Sequence, residues 1–210
     1  MSILTILQRA PYRWLWLTAE RHTVDGVSVR VQVLGNAAYK QATAARVTEA
    51  LSLLARLDPN SLARVRRLIP RILVTPERLG LGRYERSLQL CFLQDAFVMD
   101  PATTLVEVAA VIVHEATHAR LDGLPFRNRP SLLQAERLCS RIELECARRL
   151  AAASGVVFQS SIGVPPEPAE LEPDAIRQAL VDGSERTLRA IGLPAWALRL
   201  RAWLARRRAA

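Results

Sequence analysis

The chain has 210 residues, half of them hydrophobic, and carries 29 Lys and Arg against 20 Asp and Glu, a formal net charge of +9. This length and composition suit one large packed domain, or one domain with an appendage, and exclude an intrinsically disordered protein. No apolar run reaches the roughly 18 residues that cross a bilayer, and the N-terminus lacks the basic start and cleavage site of a signal peptide, so we expect neither.

The N-terminal part of the chain predicts one strand followed by two helices. Residues 27–34 alternate β-branched and polar side chains, which is typical of a half-buried strand. Residues 37–57 repeat apolar side chains with helical spacing, and the turn residues 58–60 break that helix. Ser61 is expected to cap a short helix that ends at Leu68.

The next segments predict strands around a loop. Residues 71–75 are mostly apolar and predict a second strand. Residues 76–83 contain two glycines and a proline, which predicts a loop. Residues 87–99 mix alternating and continuous apolar stretches, which predicts one or two further strands.

Two long helices are predicted after these strands. Thr104 and Glu107 have the spacing of a capping box, which begins a helix that ends near residues 122–123. Residues 124–130 contain two prolines and predict a loop. Residues 131–154 predict the second long helix.

The C-terminal part of the chain predicts a proline-rich connection and two more helices, at roughly 174–191 and 195–208. The predicted organisation is a main domain at 1–155, a Pro-rich loop or linker at 156–173, and a C-terminal helical extension at 174–210 packed on the same domain. The fold class is α+β: a helix-rich domain with a small mixed β-sheet packed on the helix that precedes residue 122.

The chain contains three cysteines, Cys91, Cys139 and Cys146. An odd number without framework spacing argues against a disulfide scaffold. Cys139 and Cys146 are seven residues apart on a predicted helix, about 10.5 Å along its axis, which is too far for a disulfide. Reduced cysteines indicate a cytoplasmic protein, and we interpret them as small core residues.

The most informative motif is His-Glu-Ala-Thr-His at residues 114–118. On a helix, His114 and His118 share one face about one turn apart, where both imidazoles can hold one metal ion. Two of the three histidines of the chain fall in this pattern. Glu115 is expected to reach a water on that ion and to accept its proton.

A catalytic zinc site needs a third protein ligand. A metzincin-type site would place it six residues after His118, but that position is Leu124. The remaining candidates are three carboxylates on the following helix, Glu136, Glu143 and Glu145.

Helical phase separates these three carboxylates. Glu143 shares an apolar face with Cys139 and Cys146, where a carboxylate is costly unless it is paired or bound to metal. Glu136 lies seven residues earlier on the same face, whereas Glu145 lies on a side rich in arginine. We favour Glu143 as the ligand, with Glu136 and then Glu145 as alternatives; either cysteine of this face could also approach the metal.

The segment from Leu105 to Leu150 resembles the zincin metallopeptidases, in particular the gluzincin group, whose third ligand is a glutamate. The resemblance rests on His114-Glu115-Ala116-Thr117-His118 and on the acidic helix around Glu143. It implies a zinc-dependent metallopeptidase in which His114, His118 and Glu143 bind Zn²⁺. Glu115 would then be the general base for a zinc-activated water that hydrolyses peptide bonds.

The resemblance also implies an edge strand that holds the substrate, which we expect around Phe92 or Phe97. Many such enzymes have an aspartate four residues after the ligand glutamate, and here that position is Ala147. Asp122, four residues after His118, is a candidate partner for its imidazole. The donor that stabilises an oxyanion is expected among Tyr84, Arg120 and Arg127.

The basic C-terminal helix supports a second hypothesis. It combines apolar residues with several arginines, a pattern typical of helices that bind nucleic acid or an anionic membrane. Under this hypothesis the zincin-like helices form a non-catalytic module. Under the first hypothesis, the partner is a peptide or protein substrate.

Overall fold

The computed structural model describes residues 16–17, 19–76, 80–86 and 88–156, which form an α+β fold as predicted. The strands are β1 (Glu20–Val24), β2 (Val27–Val31), β3 (Arg71–Thr75), β4 (Gly82–Glu85) and β5 (Leu90–Gln94). The helices are α1 (Ala37–Leu57), α2 (Pro59–Leu68), α3 (Asp95–Met99), α4 (Leu105–Asp122) and α5 (Leu132–Ser154), with a 3-10 turn at Phe126–Asn128.

The five strands form one mixed sheet in the order β1-β2-β3-β5-β4. The three inner strands are parallel, and β1 and β4 are antiparallel strands at the two edges. β4 follows β3 in the chain but pairs with β5, so the loop between β3 and β4 carries the chain past the position of β5. This topology places β4 at an edge of the sheet, against α4.

Helix α4 lies at the centre of the described fold. It packs against α1, α2, α5 and the strands β4 and β5, and its N-terminal half is buried on nearly all sides. A continuous run of apolar residues explains this burial, because a helix that is hydrophobic all round is stable only inside a core. Residues of β2, β3 and β5 complete the same core, among them Val29, Ile72 and Leu93. The sheet therefore packs on the helix that carries the His-Glu-Ala-Thr-His motif.

The structure differs from the sequence-based prediction at three short elements. Strand β1 was not predicted, and β4 begins inside the predicted loop at 76–83. Residues 95–99, predicted as part of a strand, form helix α3, with Asp95 in its first turn, where a carboxylate is stabilised by the helix dipole. Each of these elements has only four or five residues, too few for periodicity to identify it.

The cap of α2 also differs from the prediction. Asp58, not Ser61, is its N-cap. The Asp58 carboxylate accepts hydrogen bonds from the Ser61 backbone N–H at 3.1 Å and from the Ser61 hydroxyl at 2.8 Å. Pro59 occupies the first turn, where its missing N–H costs nothing.

Among the described residues, no helix is long and apolar enough to span a membrane. Apart from Val156, the predicted linker at 156–173 lies outside the described residues, as does the whole predicted extension at 174–210. The basic C-terminal helix of the second hypothesis belongs to that part of the chain.

Candidate metal centre

Helix α4 holds its polar motif in place through a well-capped start. The Thr104 hydroxyl accepts the backbone N–H of Glu107 at 3.2 Å, and the Glu107 carboxylate accepts the backbone N–H of Thr104 at 2.7 Å. This capping box satisfies two N–H groups that would otherwise lack partners at the helix end. The buried apolar turns that follow fix the rotation of α4, and with it the direction of His114, Glu115 and His118.

Helix α5 supplies the opposing wall of the site. It begins with a second capping box, in which Ser131 and Gln134 bind each other's backbone N–H groups. Its buried face packs on α4 and carries Cys139 and Glu143. The two helices therefore bring polar side chains together at a packed interface.

His114, His118 and Glu136 converge at this interface. The two Nε2 atoms of the histidines lie 3.0 Å apart. Glu136 places Oε1 3.4 Å from His118 Nε2 and Oε2 3.7 Å from His114 Nε2. A tetrahedral zinc ion with bonds of about 2.05 Å separates its nitrogen and oxygen ligands by about 3.3 Å. The spacing of these atoms thus fits the ligand shell of one such ion.

Glu143 contacts the other side of the His114 ring. Its Oε2 lies 2.7 Å from His114 Nδ1, whereas His114 Nε2 faces His118. In metal sites, a carboxylate on the non-ligating nitrogen fixes the tautomer and orientation of a histidine ligand. The structure therefore brings Glu143 to the site but not to the point where the two Nε2 atoms meet. Its role as the third ligand stays a prediction.

Glu145, the third candidate carboxylate, contacts Arg141 and not the two histidines. Glu145 lies on the exposed side of α5, 4.0 Å from Arg141 one helical turn away. Both side chains are more than half exposed. This solvated ion pair agrees with the arginine-rich side on which helical phase placed Glu145.

The contacts between histidines and carboxylates shift the pKa values of His114 and Glu136 in opposite directions. Burial lowers the pKa of His114, but its close contacts with the Glu136 and Glu143 carboxylates outweigh burial and raise it to about 10. Burial likewise raises the pKa of Glu136, but contacts with His114 and His118 outweigh it and lower the value to about 2. The acidic groups therefore favour positive charge between them, which a metal cation can supply.

Glu115 is 5% exposed and lies between α4 and strand β4. Burial raises its pKa, with a further increase from Glu136, against decreases from the two imidazoles and from a hydrogen bond with the Tyr84 backbone. A raised pKa makes this carboxylate a stronger base than an exposed glutamate.

Gly82 makes the close approach of β4 to α4 possible. A Cβ at this position would lie 2.8 Å from Val111 Cγ1 and 3.0 Å from Glu115 Oε1, closer than atoms can pack without displacement. The absence of a side chain therefore lets the strand backbone lie directly over the Glu115 carboxylate.

Strand β4 presents part of its backbone at the sheet edge. Gln94 N–H donates to Leu81 C=O, which identifies that pair as hydrogen-bonded in the antiparallel ladder. Because hydrogen-bonded and non-hydrogen-bonded pairs alternate, the backbone groups of Gly82 and Tyr84 point away from β5. The edge strand beside the site is thus β4, and the expectation around Phe92 or Phe97 is wrong, since Phe92 lies in the inner strand β5 and Phe97 in helix α3.

Cys139 was interpreted from the sequence as a small core residue, with an approach to the metal as the alternative. Its side chain is fully buried on α5, and its ligand atom lies within 4.8 Å of those of His114 and His118. Burial, together with nearby carboxylates, raises the pKa of its thiol. Its spacing of three residues from Glu136 was the available signal, because that spacing puts both side chains on one helix face.

The remaining candidates lie at the border of the site. Tyr84 is half-buried on β4, and burial and the Asp122 carboxylate raise the pKa of its phenol. Asp122, considered as a partner of His118, lies 3.9 Å from Arg86. The Arg120 and Arg127 side chains are exposed, Arg127 in the 3-10 turn.

No family model, no curated protein and no solved structure matches the chain. The interpretation of the site therefore depends on its own geometry and chemistry.

Proposed function

We propose that this protein is a metal-dependent hydrolase of peptide bonds, with Zn²⁺ as its ion. The observation that carries the proposal is the convergence of His114 Nε2, His118 Nε2 and the Glu136 carboxylate, 3.0–3.7 Å apart, beside the buried Glu115. Two imidazoles and one carboxylate are the ligand set of many catalytic zinc sites, which leave one position open.

The ligand shell in this proposal is His114, His118 and Glu136. Glu143 accepts a hydrogen bond from His114 Nδ1–H, which holds the imidazole in the tautomer whose Nε2 is free to bind metal. This assignment differs from the sequence-based preference, in which Glu143 was the ligand and Glu136 the alternative. It assigns a role to the buried Glu143 and to the partly exposed Glu136.

Glu115 is the general base and acid of the proposed reaction. A bound zinc ion lowers the pKa of a water molecule towards 7 and polarises a substrate carbonyl. Glu115 accepts a proton from the attacking water and returns it to the amine that leaves. Burial raises the pKa of Glu115, which makes its carboxylate a stronger base for the first of these transfers.

Strand β4 is the proposed docking element for the substrate. An extended peptide can add to the edge of a sheet through backbone hydrogen bonds. The outward-facing backbone groups of Gly82 and the outward-facing C=O of Tyr84 offer such bonds beside Glu115, whose carboxylate accepts a hydrogen bond from the Tyr84 N–H. A bound peptide would therefore pass over the general base.

The experiment compares Glu115→Gln with the matched variant Glu145→Gln in the full chain loaded with zinc. Cleavage of a mixture of unstructured peptides is followed by mass spectrometry, and the zinc content of each protein is measured. We expect Glu115→Gln to lose at least about 10²-fold in rate while it retains zinc. Glu145→Gln, on the exposed side of α5, should cleave like the wild type.

Equal cleavage by wild type and Glu115→Gln would contradict the proposed role of this carboxylate. Zinc-loaded wild-type protein that cleaves none of the peptides would contradict the proposed reaction.

A further inference from the structure

Cys139 is a buried thiol that points into the candidate metal centre. It is fully buried and, among the described residues, has no hydrogen-bond partner. Its sulfur, together with the ligand atoms of His114 and His118, forms a group whose members lie within 4.8 Å of one another. Glu136, one helical turn earlier on α5, contacts both imidazoles. The Glu136 carboxylate and the Cys139 thiol therefore each lie near both imidazoles.

We propose that Cys139 is a fourth protein ligand of this centre and binds the ion through its thiolate. The proposal rests on the metal centre proposed above and adds a ligand to it. A tetrahedral zinc ion separates sulfur and nitrogen ligands by about 3.5 Å, so a movement on the order of 1 Å brings the sulfur to that spacing. The thiol proton leaves to solvent as the bond between ion and sulfur forms.

A thiolate ligand has two consequences for this centre. It makes the site selective for thiophilic divalent ions such as Zn²⁺, Co²⁺ and Cd²⁺, and unfavourable for Mg²⁺ and Ca²⁺, which prefer oxygen. It also fills the fourth position of a tetrahedral ion, so the sulfur must leave that position before a substrate carbonyl or an attacking water can occupy it. The resting centre is therefore closed, and displacement of Cys139 opens it.

The other two cysteines of the chain provide matched controls. Cys146 is also buried on α5, but the charged groups near it include Asp58, at the junction of α1 and α2, and Arg149 of α5. Cys91 is buried in β5. Neither belongs to the group that contains His114 and His118.

The test is the near-ultraviolet absorption of the full chain loaded with Co²⁺, since a thiolate bound to cobalt gives a charge-transfer band there. We expect the band in the wild type and in Cys146→Ser, and its loss in Cys139→Ser. The double variant Cys91→Ser/Cys146→Ser leaves Cys139 as the only thiol of the chain. It should keep the band, and it tests the proposal even where Cys139→Ser fails to fold.

Two kinds of result would overturn the proposal, one for the thiolate ligand alone and one for the whole metal centre. Cobalt that binds without the band, or a band that persists in Cys139→Ser, overturns the thiolate ligand while the metal centre of the proposed function stands. Absence of the band from the double variant likewise overturns it. Failure of the wild-type chain to bind cobalt at all overturns the metal centre and the proposed function with it.

Discussion

At the scale of single residues, the candidate site combines features that sequence could reveal with one that it could not. The spacing of His114 and His118 places both imidazoles on one face of α4. Glu115, the next residue after His114, lies beside strand β4. Helical phase also identified the face of α5 that carries Glu136 and Glu143. Helical phase does not tell which residue along that face lies opposite the two imidazoles, because this depends on the position of α5 along the axis of α4. The sequence therefore left the third ligand open.

Two glutamine variants distinguish the roles of the carboxylates on α5. If Glu136 is a ligand, Glu136→Gln replaces its anionic carboxylate with a neutral amide, which is a weaker zinc ligand. This variant should then weaken zinc binding more than Glu143→Gln does. If Glu143 orients His114, its loss should lower zinc affinity by about 10–100-fold. Competition with a chromophoric chelator measures both affinities, and Glu145→Gln serves as the control. A larger loss in Glu143→Gln than in Glu136→Gln would restore Glu143 as the ligand.

Gly82→Ala tests the close approach of β4 to Glu115. The new Cβ would lie 2.8 Å from Val111 Cγ1 and 3.0 Å from Glu115 Oε1, so the strand or the carboxylate must move. We expect a loss of about 1–3 kcal/mol in the free energy of unfolding and a lower rate of peptide cleavage, with zinc binding retained.

Gly155→Ala is the control for this variant. Gly155 ends α5 with a φ of 69°, where an alanine is strained, but a Cβ there meets nothing within 4 Å. It should therefore lower stability without lowering the cleavage rate. A Gly82→Ala protein as active as the wild type would show that the contact between β4 and Glu115 has no part in the reaction.

At the scale of elements, the long helices were predictable and the short edge strands were not. The bounds of α1 were predicted because its apolar residues repeat over five turns, and the start of α4 because of its capping box. Helix α5 was predicted to begin at Ser131, and the structure adds a capping box there. Strand β4 contains Gly82 and polar residues, a composition typical of a loop. Strand β1 had one usable signal, the Asp25-Gly26 pair, whose positive φ angles form the tight turn to β2.

Asp58 connects three helices and gives the fold a pH dependence. Its carboxylate caps α2 and accepts a hydrogen bond from Arg149 of α5 at 2.7 Å. Burial raises the pKa of Asp58, but the hydrogen bonds from Arg149 and Ser61 outweigh burial and lower it. A depressed pKa means that the ionised carboxylate stabilises the folded state above the usual pKa of about 3.9, and that this contribution is lost as the pH falls through the lowered value.

Asp58→Asn measures this contribution, because asparagine can still cap the helix but carries no charge. We expect Asp58→Asn to be less stable than the wild type by about 1 kcal/mol at pH 7, and the difference to shrink as the pH falls below 4. Urea unfolding at several pH values provides the comparison. A difference that stays constant or grows on acidification would contradict the ion pair with Arg149.

At the scale of the whole molecule, the fold class was predicted and is confirmed: a small mixed sheet packs on a central helix, α4, which α5 covers from another side. The site lies where α4, α5 and the edge strand β4 meet. The fold thus brings candidate metal ligands from two helices, the buried Glu115 and the edge of a sheet together at one location. The hypothesis that the basic C-terminal helix binds nucleic acid or membrane concerns residues outside this region.

The zinc content of the purified full chain is the most direct test of the proposed metal centre. We expect about one zinc per wild-type chain, as a mononuclear site requires. His118→Ala should lose the ion, and His22→Ala should retain it, because His22 lies on β1 beside Glu20 and away from the helix pair. A wild-type chain that binds no zinc, or a His118→Ala chain that binds as much as the wild type, would contradict the metal centre.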